Sequence, residues 1–163
     1  MALILVSLGG LGMAELQAHG EQGADNTAAE ANPVFSDIRT EGYWVIPAVQ
    51  EILDEQPQLS FTTNDICIAC KEGSAALWVA KEGFVISTGE TDTFTGDRTF
   101  LVWVAWARDR RQSCVIKYYE FFADVARESG FKHIEVRTPI RKLEPYLIAE
   151  GWKKDTVVYT REL

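Results

Sequence analysis

Apolar positions in this chain fall into helical spacing first and strand spacing later. Val49, Ile52 and Leu53 form one stripe of a helix that Pro47 can open and Pro57 must stop. Thr62-Thr-Asn-Asp65 supplies capping chemistry for a second helix, Ile66 to Glu72, and Gly73 ends it. The spacing then becomes that of strands. Ala75 to Ala80 and Phe84 to Thr88 flank a Lys81-Glu-Gly83 turn, and a Gly/Thr/Asp-rich link leads to the strongest strand signal, Thr99 to Trp106. Trp103 and Trp106 are an odd number of residues apart, so they are expected on opposite faces of a central strand, both covered.

A polar turn, Arg108-Asp-Arg-Arg-Gln112, interrupts the apolar run. Ser113 is a good N-cap for a long helix ending at Gly130, with Ile116, Tyr119, Phe122, Ala123 and Ala126 on one face. His133 to Thr138 reads as a strand, Pro139 opens a short helix to Glu150, and Thr156 to Thr160 reads as a closing strand. The order predicts an α+β domain on one mixed sheet flanked by helices, over residues 37–163. Residues 1–36 are set apart as an N-terminal extension. Their stretch from Gly9 to Ser36 is rich in Gly, Ala, Asn, Gln and acids, the composition of a flexible arm. Such an arm is expected either to be held by other protein subunits of an assembly or to pack back on its own domain.

Composition narrows the function classes. The 163 residues carry 47% apolar and 25% charged side chains, ordinary for one globular domain. Residues 1–107 hold 15 acids against 4 basic residues, and residues 108–163 hold 12 basic residues against 9 acids. The acidic majority argues against direct nucleic-acid binding and puts any anionic ligand in the C-terminal third. No apolar stretch reaches the roughly 20 residues of a membrane helix. Met1 to Leu8 is apolar like the middle of a signal peptide, but the first basic residue is Arg39, so secretion is not expected.

Three cysteines do not make a disulfide framework. Cys67-Ile-Ala-Cys70 stands without a second ligand pair, since Cys114, His19 and His133 lie in unrelated segments; no metal is expected and the thiols read as small core residues. His133, beside Lys132, reads as a surface histidine.

The element order, with its Gly130-Phe131 and Gly151-Trp152 punctuation, resembles the GNAT (Gcn5-related N-acetyltransferase) superfamily over about residues 38–163. Asn64-Asp-Ile66, Ala76-Leu-Trp-Val-Ala80, the run from Ala126 to Glu135, Gly151-Trp152 through Val158, and Glu162-Leu163 resemble divergent GNAT-like proteins of tailed bacteriophages. The resemblance implies a loop of the form Q/R-x-x-G-x-G/A that holds the acetyl-CoA pyrophosphate on backbone amides, where anions are favoured. Here the loop falls on Arg110-Arg-Gln-Ser-Cys-Val115: the basic start is kept, Ser113 replaces the first glycine and Val115 the second. A β-branched residue is expected to crowd the ligand, costing about 1–3 kcal/mol. Arg108, Arg110, Arg111, Gln112, Ser113 and Val115 are the cofactor-binding candidates, although arginines in a polar turn are ordinarily just solvated.

The family's usual catalytic tyrosine position is Leu147, with Tyr146 one residue early and about 100° round the helix. Glu82 and Glu90 are the candidate bases, each expected to be a solvated turn carboxylate. These departures imply an eroded acyl-CoA site and a non-catalytic structural or accessory component of a bacteriophage virion or assembly. Such a component needs no cofactor and is found in host cytoplasm or in the particle. The alternative is an acetyl-CoA-dependent N-acetyltransferase acting on an amine, with backbone amides of Trp103–Ala107 holding the carbonyl oxygen.

Overall fold

The structure is a computed structural model that describes residues 31–109 and 111–157. Strand β1 (Val34–Ser36) leads into helix α1 (Ile38–Glu55) and helix α2 (Thr63–Glu72). Strands β2 (Ala75–Val79), β3 (Gly83–Thr91) and β4 (Arg98–Ala107) follow. Then come α3 (Cys114–Lys117), α4 (Tyr119–Glu128), β5 (His133–Val136), a 3-10 turn (Arg141–Leu143) and α5 (Glu144–Ala149). The strands lie in the order β1-β2-β3-β4-β5, antiparallel except for the parallel β4–β5 pair. This is the α+β mixed sheet flanked by helices that the element order predicts.

The sheet separates two halves of the core. One half packs Ile38, Val45, Val49 and Ile52 of α1 and Ile66 of α2 against Leu77, Phe84, Ile86 and Val104. The other packs Val115, Tyr118, Phe122 and Ala126 against Val85, Phe100, Val102 and Ala105.

Several boundaries differ from the expected ones, each for a local reason. Residues 34–36, assigned to the extension, form β1: Val34, Phe35 and Ser36 pair with Val79, Trp78 and Leu77. Helix α1 begins nine residues before Pro47, because the Asp37 carboxylate caps it by accepting from the Arg39 N–H at 2.8 Å. Pro47 lies inside it; the buried Ile38–Val45–Ile52 stripe on both sides of the ring offsets one missing hydrogen bond. Helix α2 follows expectation, with a reciprocal Thr62–Asp65 capping box and Gly73 at φ 79°. Strand β3 runs on to Thr91 because the Gly/Thr/Asp-rich link is a tight hairpin. In it the Asp92 carboxylate accepts from the Phe94 and Thr95 N–H groups, and Thr91 still pairs with Arg98.

The expected long helix from Ser113 is two helices, broken at Tyr118 (φ −109°, ψ 25°). The Tyr118 side chain is buried and its hydroxyl donates to Glu82, a contact made where the helical path breaks. Strand β5 ends at Val136, short of Thr138. Thr156 and Val157 carry no strand, and residues 158–160 of the expected closing strand lie outside the described residues.

Trp103 and Trp106 share one face, contrary to their odd spacing. Ile86 pairs with Val104 and Ser87 with Val102, so Trp103 is an extra residue in β4. This bulge reverses the alternation beyond it. Both indoles therefore pack on the α1/α2 side, Trp103 against Phe61 (ring centroids 5.5 Å apart) and Trp106 against Trp44 and Phe84.

Among the described glycines, Gly83 makes the closest approach to its neighbours. A Cβ there would lie 2.0 Å from the Trp106 carbonyl oxygen, a backbone atom that cannot swing aside. Gly83→Ala is expected to destabilise the protein by about 2–3 kcal/mol, measured by urea unfolding; an unchanged midpoint would contradict this packing.

Candidate functional site

The candidate site lies where the parallel β4–β5 pair, the one such pair among the described residues, separates. Pairing of β4 with β5 runs from Thr99–His133 to Val102–Val136 and stops, while β4 continues for five more residues to Ala107. Beyond Val102, β4 has β3 on one side and, among the described residues, no strand on the other. Open sheets bind ligands in crevices outside the carboxyl ends of parallel strands. Ile140, after β5, packs against both halves of the core and gives this opening an apolar wall.

The polar turn begins where β4 ends. Arg108 lies with its guanidinium carbon 4.6 Å from the centre of the Trp44 ring. Arg111 pairs with Asp109 at 3.2 Å, both side chains well exposed. Arg110 lies outside the described residues. Gln112 donates its N–H to the Asp109 carbonyl, and Ser113 caps α3, its hydroxyl accepting from the Ile116 N–H at 3.3 Å. Val115 is 1% exposed and packs in the core between α3 and the sheet. Its side chain belongs to the core rather than to the exposed face of the turn.

Glu82 is no solvated turn carboxylate. The β2–β3 connection is a two-residue loop, Lys81 and Glu82, closed by Ala80–Gly83 hydrogen bonds. Its carboxylate is only 13% exposed, accepts from Lys117 Nζ at 2.7 Å and from the Tyr118 hydroxyl, and its carbonyl accepts from the Arg108 N–H at 2.7 Å. The Lys117 hydrogen bond, followed by that of Tyr118, draws the carboxyl down to about 2. So acidic a carboxyl is a poor proton acceptor at neutral pH.

Between about pH 4.5, where an ordinary glutamate titrates, and about pH 2, the unfolded chain binds the Glu82 proton and the folded protein does not. The stabilisation by Glu82 is complete above that window and lost as pH falls through it. The stability gap between wild type and Glu82→Gln, read from urea unfolding at pH 7, 5 and 3, is expected to narrow only at the lowest pH; a constant gap would contradict the pairing.

Glu90 is tied down as well. Arg137 reaches it with two nitrogens (3.0 and 2.5 Å) and holds Glu135 with a third at 2.5 Å. The two carboxylates drive the guanidinium strongly towards its charged form. Tyr146 is half-buried on α5, while Leu147 packs into the α3/α4 half of the core. His133 opens β5 and is exposed. Cys67 and Cys70 pack beside the α1/α2 half, and burial pushes the Cys70 thiol up to about 11. Cys114 is buried under the loop, its thiol raised to about 12 by burial and then by Glu82. Among the described residues no group of three or more His, Cys, Asp or Glu could hold a metal ion. No described helix is long and apolar enough to cross a membrane.

No family model matches the sequence, and no curated protein matches it. Solved structures do match in shape. The ribosomal-protein-alanine N-acetyltransferase from Brucella melitensis biovar Abortus 2308 superposes with a TM-score of 0.60 at 15% identity, over 82% of this chain and 100% of that one. A Clostridium acetobutylicum protein described as a predicted acetyltransferase, solved with acetyl-CoA, gives 0.57 at 13% identity over 80% and 95%. Glucosamine-6-phosphate N-acetyltransferase from Arabidopsis thaliana gives 0.55 at 9% identity over 80% and 97%. The fold is GNAT-like. In this GNAT-like frame the loop from Arg108 to Ser113 joins the end of β4 to α3, beside the parted strands.

The turn offers groups that can bind a diphosphate: the Arg108 guanidinium stacked on Trp44, the Arg111 guanidinium paired with Asp109, and the Ser113 hydroxyl that caps α3. A shallow groove of about 210 Å³ lies between the α3–α4 break and the end of α5. Lys117, Tyr119, Glu120, Glu150 and Trp152 are among its walls, Tyr119 and Trp152 meeting edge to face at 5.6 Å.

What sequence reasoning missed was Glu82's partnership with Lys117 and Tyr118. They lie 35 and 36 residues away, and no local pattern joins them.

Proposed function

We propose that this chain is an acetyl-CoA-dependent N-acetyltransferase that acts on an amine. The observation that carries the reading is the parted end of β4 and β5, followed along the chain by the basic turn with Arg108, Arg111 and Ser113 that leads from β4 into α3. Arg108, Arg111 and the Ser113 hydroxyl would hold the pyrophosphate. Bound acetyl-CoA supplies a thioester, which an amine can attack directly with release of the thiol. The edge of β4 beyond Val102 offers backbone N–H groups for the carbonyl oxygen. Glu82 and Glu90 serve the fold through their ion pairs, so the amine's proton is assigned to neither. Calorimetric titration with acetyl-CoA and with CoA tests the reading: micromolar binding supports it, and no heat up to millimolar concentration overturns it.

One observation favours the second reading, a non-catalytic component of an assembly such as a bacteriophage particle. Val34 and Phe35, on the outermost strand β1 and directly after the N-terminal arm, are 63% and 66% exposed. An exposed apolar edge strand suits pairing with another subunit. Removal of residues 1–33 should then abolish assembly while leaving β1 and the domain folded.

A further inference from the structure

We propose that Glu82 is a positioning residue for acyl-CoA: from the β2–β3 turn it holds both ends of the 108–118 segment that carries the phosphate-binding loop. This rests on the acetyltransferase reading for its functional part. At one end, the Glu82 carbonyl accepts from the Arg108 N–H at 2.7 Å. At the other, the Glu82 carboxylate takes Lys117 Nζ at 2.7 Å and the Tyr118 hydroxyl. One residue thus spans the loop and the short helix that follows it.

The anchor is itself rigid. Glu82 is half of a two-residue loop, and the adjacent Gly83 lies so close to the Trp106 carbonyl that no side chain fits between them. The turn is therefore fixed to the end of β4, the strand from which the loop departs. The contacts are also shielded, with Glu82 13% and Lys117 27% exposed in their side chains and Tyr118 buried. Shielded charge-assisted hydrogen bonds hold geometry better than exposed ones.

Glu82 adds a polar tie to a segment whose apolar side chains, Cys114, Val115 and Tyr118, pack in the core against the sheet. Arg111 and Gln112 bond back to Asp109, and Ser113 caps forward to Ile116. Those bonds set local turns, and the Arg108 guanidinium stacks on Trp44 of α1. Cys114 Sγ to the Trp106 carbonyl, at 3.5 Å, is a weak further link. Glu82 supplies the strong one. A loop out of position by even an ångström loses the alignment of several phosphate contacts at once.

The test uses the full chain with Glu82→Ala and Glu82→Gln, and Lys81→Ala in the same turn as control. Amide hydrogen exchange across 109–117 is expected to accelerate at least tenfold in Glu82→Ala and less in Glu82→Gln, with β3 and β4 unchanged. The KM for acetyl-CoA should rise at least tenfold with the amine KM and kcat within twofold, whereas general destabilisation would lower apparent kcat and leave KM alone. If Glu82→Ala does not fold, Tyr118→Phe and Lys117→Met each remove one arm and should show smaller shifts of the same kind. Wild-type CoA binding with unchanged exchange and KM in these variants overturns the clamp alone. Absence of wild-type CoA binding overturns the acetyltransferase reading, and the role given to the clamp falls with it.

Discussion

Reversing charge at Arg108 and Arg111 together is expected to weaken CoA binding at least a hundredfold. A hydrogen bond to a charged group contributes about 1.5–3 kcal/mol, and about 1.4 kcal/mol is a factor of ten in affinity. Loss of two such bonds therefore exceeds two decades before any repulsion is counted. The fold should survive. Arg108 meets Glu82 through its backbone, its exposed stacking on Trp44 contributes only about 0.5–1 kcal/mol, and the Arg111–Asp109 pair is exposed, where ion pairs add little to stability. Calorimetry alongside far-UV circular dichroism reads both quantities. Affinity within twofold of wild type, in a folded variant, would show that the phosphates lie elsewhere.

Phe122→Ala should produce the largest loss of stability, about 3–5 kcal/mol. Phe122 is fully buried on α4, and its ring contacts Phe121, Trp78 and Phe100 at centroid distances of 5.2 to 6.2 Å. Truncation opens a cavity that three other rings cannot fill without leaving their own contacts. A domain has only about 5–15 kcal/mol in total, so the variant should be partly unfolded under mild denaturant. Urea unfolding gives the number, and a loss below about 1 kcal/mol would mean that α4 does not pack on the sheet as described.

Much of this arrangement is legible in the sequence where the controlling interactions are local. The Thr62–Asp65 capping box, Gly73 and the apolar run of β4 each carry their signal within a few residues, and the structure follows them. The misreadings arise where a distant partner decides. Pro47 looks like a helix start until the buried stripe on both sides is seen to extend across it. Nothing beside Tyr118 announces a break, because its hydroxyl bonds a carboxylate 36 residues earlier. The shared face of Trp103 and Trp106 depends on a bulge visible only in the pairing of β3 with β4.

The candidate site divides in the same way. The basic loop and its Ser113 cap are readable in order along the chain. The environment of Val115 is not, since the core that buries it comes from Val85, Phe100, Val102 and Tyr118. A residue that looks obstructive in the one-dimensional motif is a packing residue in three dimensions. Glu82 and Glu90 likewise are not the solvated turn carboxylates that their sequence neighbours suggest, since Lys117, Tyr118 and Arg137 pair with them from distant segments.

The most direct measurement is release of free CoA thiol from acetyl-CoA by the full chain, with and without a panel of primary amines. The expected result is release that depends on both protein and amine and disappears in the Arg108/Arg111 charge-reversed variant. Release no faster than in buffer for every amine, by protein shown to be folded, would contradict the assignment of acetyl transfer to this site.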